Sequence, residues 1–366
     1  MKNGKLQIGI IGCGGIAKQK HLPALANLSE LCELVAFCDI LPDRAESAAK
    51  SHGTKDAKVY TDYKELLNDS SIDVVHVLTP NVVHMPITVD AFEAGKHVLC
   101  EKPMAHNTED ARKMVEASKR SGKKFTIGYQ NRFRKDVQAL HKACEAGRLG
   151  DIYFAKAHAV RRRAVPTWGV FPNKALQGGG PLIDIGTHAL DITLWMMNNY
   201  KPKLVTGSVF YKMADKSEGN LFGPWDPATF EVEDSAFGFI KMENGATIFL
   251  EAAWALNVAE SKEAAATLCG TEAGAEIKSG MSYKNSELII NSARYGELFD
   301  EHLSGGGNIA YFNGPSNEPG YLEAKQWLLS ILNDTQPLVM PEQAFTVTQI
   351  LDAIYLSARI GKSVEL

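Results

Sequence analysis

None of the six cysteines in this 366-residue chain (Cys13, Cys32, Cys38, Cys100, Cys144 and Cys269) stands in a C-x-x-C pair or at metal-ligand spacing. That excludes a disulfide framework and a cysteine-bound zinc. The thiols read as reduced and mostly buried, which places the protein in the cytoplasm, and no metal is expected. Long apolar runs are lacking too. The opening "MKNGKLQIGIIG" has basic residues and a short apolar run that enters a glycine cluster, which is neither a signal peptide nor a membrane span. No membrane partner is therefore expected. Charge of one sign is also scarce: 39 Lys and Arg face 43 Asp and Glu, a net −4, with no run of like charge. Nucleic-acid binding would need a basic face, and none is available. The only dense basic cluster is Arg161, Arg162 and Arg163. On a strand its middle arginine would point away from its neighbours, which suits no phosphate-tracking stripe. Internal repeats and low-complexity tracts are absent.

What is present is organised in two parts, as the length suggests. The first third alternates buried strand signals ("LQIGIIG", "ELVAFCD", "DVVHVLTP", "HVLCEKP", "KFTIGYQ") with helical segments. Short apolar strands separated by helices imply right-handed βαβ units and a doubly wound parallel sheet over residues 1–128. The pattern then changes over residues 129–366. "SAFGFIKM" and "ATIFLEAAWAL" flank Asn244-Gly245, a two-residue hairpin signal. Ile248, Leu250, Ala252 and Trp254 share one face of the second. This alternation predicts an α/β domain with a mostly antiparallel open sheet. Residues 213–230 read as a long loop. The last helix puts Val347, Ile350, Leu351, Ile354 and Ala358 on one stripe between Pro341 and Gly361, and it is free to pack back on the first domain.

The chemistry begins at "IGIIGCGGIA". Gly12, Gly14 and Ala17 follow the first strand in G-x-G-x-x-A spacing and open a helix, with Gly15 and Ile16 between. Such glycines allow a tight turn and close approach of backbone to a pyrophosphate, which the helix N-terminus then meets with unpaired N–H groups. Asp39 closes the second strand about twenty residues on, as the dinucleotide fingerprint requires. A carboxylate there accepts from a free ribose 2′-hydroxyl and repels a 2′-phosphate. NAD is favoured over NADP, although Arg44 is close enough to keep NADP open.

"CEKP" ends a parallel strand, where open α/β sheets place their ligands. Lys102 either works there as a proton-transfer group or pairs with Glu101 at the surface. The segment "GGGPLIDIGTHALDITLWMM" (178–197) reads as an apolar helix, yet Asp184, Thr187, His188 and Asp191 recur at i, i+3, i+4 and i+7 on one stripe. The bland reading is a first-turn carboxylate and a hydrogen-bonded core histidine. The functional one is a carboxylate and an imidazole one turn apart, suited to moving a hydroxyl proton at neutral pH.

"GCGGIA", Asp39, "LTPNVVH", "EKP", "GYQNRF" and "GGGPLIDIGTHALD" occur in the order and rough spacing of the Gfo/Idh/MocA family, which the whole chain resembles. The resemblance implies a Rossmann domain followed by a mostly antiparallel α/β domain, and an NAD-dependent oxidoreductase acting on a CH–OH group of an inositol-like cyclitol or a pyranose sugar. It implies that Lys102 lies beside the reacting centre, before a cis peptide to Pro103, and that Asp184 and His188 form the Asp-x-x-x-His pair, with His188 the acid/base. Thr79, Pro80, Asn81 and His84 would lie on the cofactor with Glu101 and Lys102; for Asn81 a simple helix cap is the competing role. Tyr129 and Arg132 would approach substrate. Arg161, Arg163 and Trp168 are further substrate candidates, with loop anchoring or ion pairing as their alternative. Relatives within the resemblance also include glycoside-cleaving enzymes with internally recycled NAD and a non-catalytic ligand sensor. They commonly associate through the open sheet face as homodimers or homotetramers.

Overall fold

Six strands, β1 (Leu6–Ile11), β2 (Cys32–Cys38), β3 (Lys58–Tyr60), β4 (Val74–Val77), β5 (His97–Glu101) and β6 (Phe125–Gly128), lie in the order β3-β2-β1-β4-β5-β6. All five pairings are parallel. The computed structural model describes residues 1–2, 4–281, 286–303 and 318–366. The chain divides into two units, Met1–Gln130 with Ile309–Phe345, and Asn131–Asn308 with Thr346–Leu366.

In the first unit every residue of β1 is buried, because a central parallel strand has helices on both faces and no polar side. The strand order reverses between β1 and β4, the switch point where doubly wound folds bind ligands. Ile8, Ile10, Phe37, Val74 and Leu99 form one cluster with Trp327 and Leu328, which come from the helix Pro319–Leu332. That late helix completes the core of a sheet built almost two hundred residues earlier. β3 carried no apolar signal, and its three residues lie at the sheet edge, two of them exposed.

The second unit holds a nine-stranded sheet made of β7 (Ile152–Val160), β8 (Pro202–Phe210), β9 (Ser235–Met242), β10 (Thr247–Ala253), β11 (Lys262–Gly270), β12 (Ala273–Lys278), β13 (Glu287–Arg294), β14 (Glu297–His302) and β15 (Val364–Glu365). Its order is β14-β13-β12-β11-β7-β10-β9-β8-β15. β7 and β10 run parallel, and the other pairs are antiparallel. The hairpin at Asn244-Gly245 joins β9 to β10, with Gly245 at φ +90°. Ile248, Leu250, Ala252 and Trp254 are buried, whereas Phe249 on the opposite face is 45% exposed. The arginines 161–163 follow β7 rather than extending it. The helix Thr187–Met197 packs on β7 and β11. Among the described residues no helix is long and apolar enough to cross a membrane.

Candidate functional site

The glycine loop after β1 has the shape a pyrophosphate needs. Gly12 adopts φ +95°, and a Cβ there would lie 2.5 Å from the carbonyl oxygen of Leu78. The loop is therefore pressed against the end of β4. At Gly14 and Gly15 an added Cβ would meet nothing within 4 Å, which leaves their backbone open to a ligand. The chain then winds into a π-turn, Ala17–His21, that continues as the helix Leu22–Ala26. Asp39 is buried, and its carboxylate accepts from Cys13 N at 2.8 Å and from Leu41 N at 2.9 Å. One side chain thus ties the glycine loop to the end of β2. Arg44 is exposed one turn into the helix Pro42–His52. Ile16 is 37% exposed beside the loop, and Ala17 is buried. An NAD pyrophosphate and ribose fit this donor set.

The loop after β4 carries Thr79 and Pro80 into the short turn Asn81–Val83. His84 is wholly buried, and its ring nitrogens face the carbonyl oxygens of Pro103 (2.8 Å) and Thr79 (2.9 Å). Burial pushes its pKa down, so the ring is neutral and donates to one carbonyl at a time. Its polar atoms are committed to joining two loops, the role of a positioning residue. The Lys102–Pro103 peptide is cis.

Behind this loop lies a network with no local signal in the sequence. The Lys20 ammonium donates to Glu101 Oε1 (2.6 Å) and Glu323 Oε2 (2.8 Å), and all three side chains are at most 9% exposed. Burial alone would lower the pKa of Lys20. The two carboxylates outweigh it and hold the ammonium above its ordinary value. Burial alone would raise Glu101, but Lys20 and His21 hold it well below the usual carboxylate range. His21 Nε2 lies 2.7 Å from Glu101 Oε1, and its Nδ1 lies 3.2 Å from His76 Nδ1. Burial keeps both imidazoles neutral. The ionised Glu101 then sets the tautomers: His21 donates through Nε2 and accepts from His76 through Nδ1. Glu101 Oε2 accepts the backbone N–H of Lys102 at 3.0 Å. The lysine that the resemblance singles out is therefore held through its backbone by a carboxylate that Lys20 locks from beneath.

The second unit carries the other candidates. Asp184 lies in a π-turn, Leu182–Gly186, that runs into the helix Thr187–Met197 bearing His188. The Trp254 indole N–H donates to Asp184 Oδ2 at 3.0 Å. Gly178 takes φ +84°, and the two glycines after it are required by close neighbours. A Cβ at Gly179 would lie 2.1 Å from the Tyr355 hydroxyl, and one at Gly180 would lie 2.3 Å from the carbonyl oxygen of Glu233. Glu233 is 1% exposed; it accepts from Gly180 N (2.8 Å), Leu182 N (3.2 Å) and the Tyr355 hydroxyl (2.7 Å). It caps the start of the helix from fifty residues away, and burial pushes its pKa up against those three donors. His188 is 8% exposed.

Asp191, the fourth member of the stripe, has a different engagement. Arg132 is wholly buried and meets it through Nε (3.0 and 3.1 Å) and Nη2 (2.6 Å), with its guanidinium 5.2 Å above the Trp195 ring. The expectation that Arg132 contacts substrate gives way to a buried ion pair that anchors the helix. Tyr129, in the first unit, is also fully buried. Arg161 binds Glu263 through Nε (2.7 Å) and Nη2 (2.6 Å), and Asp184 adds to the negative field around it. Arg163 donates to Asn257 and to the carbonyl of Arg162. Both arginines thus have partners within their own unit. Trp168 is 51% exposed, edge-on to Phe222 and Phe171.

The model of an oxidoreductase family with an NAD-binding Rossmann fold matches residues 6–129, and that of the same family's C-terminal α/β domain matches residues 141–366. The chain belongs to the Gfo/Idh/MocA oxidoreductase family. It is an NAD-binding enzyme of the class whose members include sugar and cyclitol dehydrogenases. This Gfo/Idh/MocA chain is 37% identical to D-glucoside 3-dehydrogenase of Escherichia coli (strain K12) over 368 residues, 100% of the chain and 99% of that enzyme. It is 32% identical to inositol 2-dehydrogenase of Salmonella typhimurium (strain LT2) over 198 residues, 54% of the chain and 56% of that protein. The aldose-aldose oxidoreductase from Caulobacter crescentus, solved with glycerol, superposes with a TM-score of 0.81 at 25% identity, covering 99% of this chain and 100% of that one.

Proposed function

We propose that the protein oxidises a secondary hydroxyl of a pyranose ring, a D-glucoside first among candidates, with transfer of hydride to NAD. The observation that carries this reading is the pairing of Asp184 and His188 one turn apart on a helix whose start is clamped by Glu233. The full-length similarity to a D-glucoside 3-dehydrogenase supports the choice of ring. Gly12, Gly14, Gly15 and the turn at Ala17 hold the pyrophosphate, Asp39 takes the ribose hydroxyls, and Asn81 with Thr79 and Pro80 lines the loop next to them. NAD bound there supplies the hydride acceptor.

The residues of the chain manage the proton. As the C–H bond gives up its hydride, the hydroxyl O–H must lose a proton and the carbon–oxygen bond becomes a carbonyl. Imidazole is a suitable acceptor at neutral pH, and His188 takes that role. Asp184, its Oδ2 held by Trp254, orients a ring hydroxyl and so fixes which carbon reacts. Lys102, held through its backbone by Glu101, is the basic group at the end of β5 in the nucleotide unit. The exposed aromatic face of the second sheet, with Phe249 and Phe239 in edge contact, is where a second copy of the chain would pack.

The test is the rise of reduced-nicotinamide absorbance with NAD and a panel of glucosides, free aldoses and inositols. Growth with a glucoside, reduced about 10²–10⁴-fold by His188→Ala, is expected. No growth with any ring alcohol would overturn the dehydrogenase reading, and unchanged turnover in His188→Ala would remove His188 from it.

A further inference from the structure

An aromatic series leads away from Asp184 within the second unit. Trp254, which donates to Asp184, is wholly buried. Phe171 stands edge-on to it with ring centroids 6.3 Å apart, and Trp168 stands edge-on to Phe171 at 6.0 Å. Phe222 closes on Trp168 at 4.8 Å with the planes at 86°. Exposure rises along the series, from none at Trp254 to half at Trp168. A ring held at Asp184 lies at the buried end. Trp168 and Phe222 lie at the solvent end, with Phe171 standing between Trp168 and Trp254.

The outer pair is not a loose surface feature. Asn220 Oδ1 accepts Val165 N at 2.8 Å, and Asn220 Nδ2 donates to the Val165 carbonyl at 3.0 Å. Leu221 N donates to the Arg163 carbonyl at 3.1 Å, and the Thr167 hydroxyl donates to the Phe222 carbonyl at 2.7 Å. Four bonds thus zip residues 163–167 to residues 220–222, and the two rings on their ends meet in a fixed right angle. Arg163, which the sequence offered as a substrate contact, belongs to this clamp through its carbonyl. A rigid indole left half in water beside a second ring presents an apolar face at little ordering cost, a property of binding surfaces.

We propose that Trp168 and Phe222 form an outer subsite for the aglycone ring of a glycoside whose sugar ring is held at Asp184. The inference rests on the pyranoside reading above and adds what lies on the anomeric oxygen: a ring with an apolar or π face, in preference to a small alkyl group or a free hydroxyl. Phe171 is the spacer between the two subsites. The hydride and proton steps are untouched, since the aglycone bond neither forms nor breaks.

The experiment compares methyl and phenyl D-glucosides and a glucose disaccharide on the NAD-loaded protein, with Trp168→Ala, Trp168→Phe and Phe222→Ala beside the unaltered chain. kcat/KM for the phenyl glucoside should exceed that for the methyl glucoside by about five- to tenfold, chiefly through KM, as one or two ring contacts would give. Trp168→Ala and Phe222→Ala should bring this ratio towards one, and Trp168→Phe should keep most of it. A ratio near one in the unaltered chain, or one unmoved by Trp168→Ala, would overturn the subsite while leaving the dehydrogenase reading in place. If no glucoside is turned over, the glucoside reading is what fails. Calorimetric titration with the same two glucosides then tests the subsite by itself: equal affinities for phenyl and methyl would overturn it. A preference confined to the disaccharide, with phenyl and methyl glucosides alike, would likewise overturn an aglycone subsite for an apolar or aryl ring.

Discussion

The Lys20 ammonium lies 2.6 Å from Glu101 and 2.8 Å from Glu323, and the three side chains are buried together beneath the loop that carries Lys102. A buried ion set of this kind gains little over an apolar packing of the same shape, but losing one member is costly because the others keep their charge in a poor solvent. Lys20→Met should therefore destabilise the protein by about 3–5 kcal/mol, read as a drop in the urea midpoint at neutral pH. A change of less than about 1 kcal/mol, the scale of exposed pairs, would mean that water reaches the network.

Two glycine substitutions should fail in opposite ways. At Gly14 a methyl group meets nothing within 4 Å, so Gly14→Ala should melt like the unaltered protein and lose NAD affinity, because the methyl stands where the pyrophosphate approaches. At Gly180 the methyl would lie 2.3 Å from the Glu233 carbonyl oxygen. Gly180→Ala should lower stability by about 1–3 kcal/mol, the usual cost of overpacking. Calorimetric melting together with NAD titration separates the two, and the reverse pattern would contradict both assignments.

Asp39→Ala removes the acceptor for Cys13 N and Leu41 N as well as the ribose contact. Bonds of this charge-assisted kind contribute about 1.5–3 kcal/mol each, so NAD should bind at least about tenfold more weakly. Fluorescence titration with NADH measures it. Retained affinity would show that the glycine loop holds its shape without the carboxylate.

His97 supplies a pH test of stability. Its Nδ1 accepts Lys124 N at 3.0 Å, and burial, with Lys123 adding to it, lowers its pKa from 6.5 to about 4. The unfolded chain therefore takes up a proton at higher pH than the folded one. The stabilisation is full above 6.5 and is lost as pH falls through 4; allowing for the partial exposure of the ring, the loss is about 2 kcal/mol. His97→Gln should flatten the fall in urea midpoint between neutral pH and pH of about 4. An equally steep fall in the variant would assign the slope to other groups.

The nucleotide half was legible because its parts are close in sequence. The strand, the glycines, the turn at Ala17 and Asp39 lie within about thirty residues, and the spacing itself encodes the geometry. The stripe Asp184, His188, Asp191 was legible as a stripe, but periodicity gives a face and not a partner. Nothing local tells that Asp191 meets Arg132 while Asp184 meets Trp254. Trp254 was read from its alternation as a core residue, and it is one; its indole N–H is what gives it a second duty. Lys20 looked like any lysine in a basic turn, and Glu233 like any loop carboxylate, because their meaning lies in residues far along the chain.

That distance has a consequence for synthesis. Trp327 and Glu323 finish the core and the ion set of the first unit, and Tyr355 finishes the cap of the Asp184–His188 helix. A ribosome that has released all six strands of the nucleotide fold has therefore released a core still lacking Trp327 and a lysine still waiting for its second carboxylate. The first unit waits for the helix Pro319–Leu332, and the second waits for Tyr355 in the final helix. The first core is thus still unfinished while the second unit is being made, the stage at which exposed apolar surface favours misassembly.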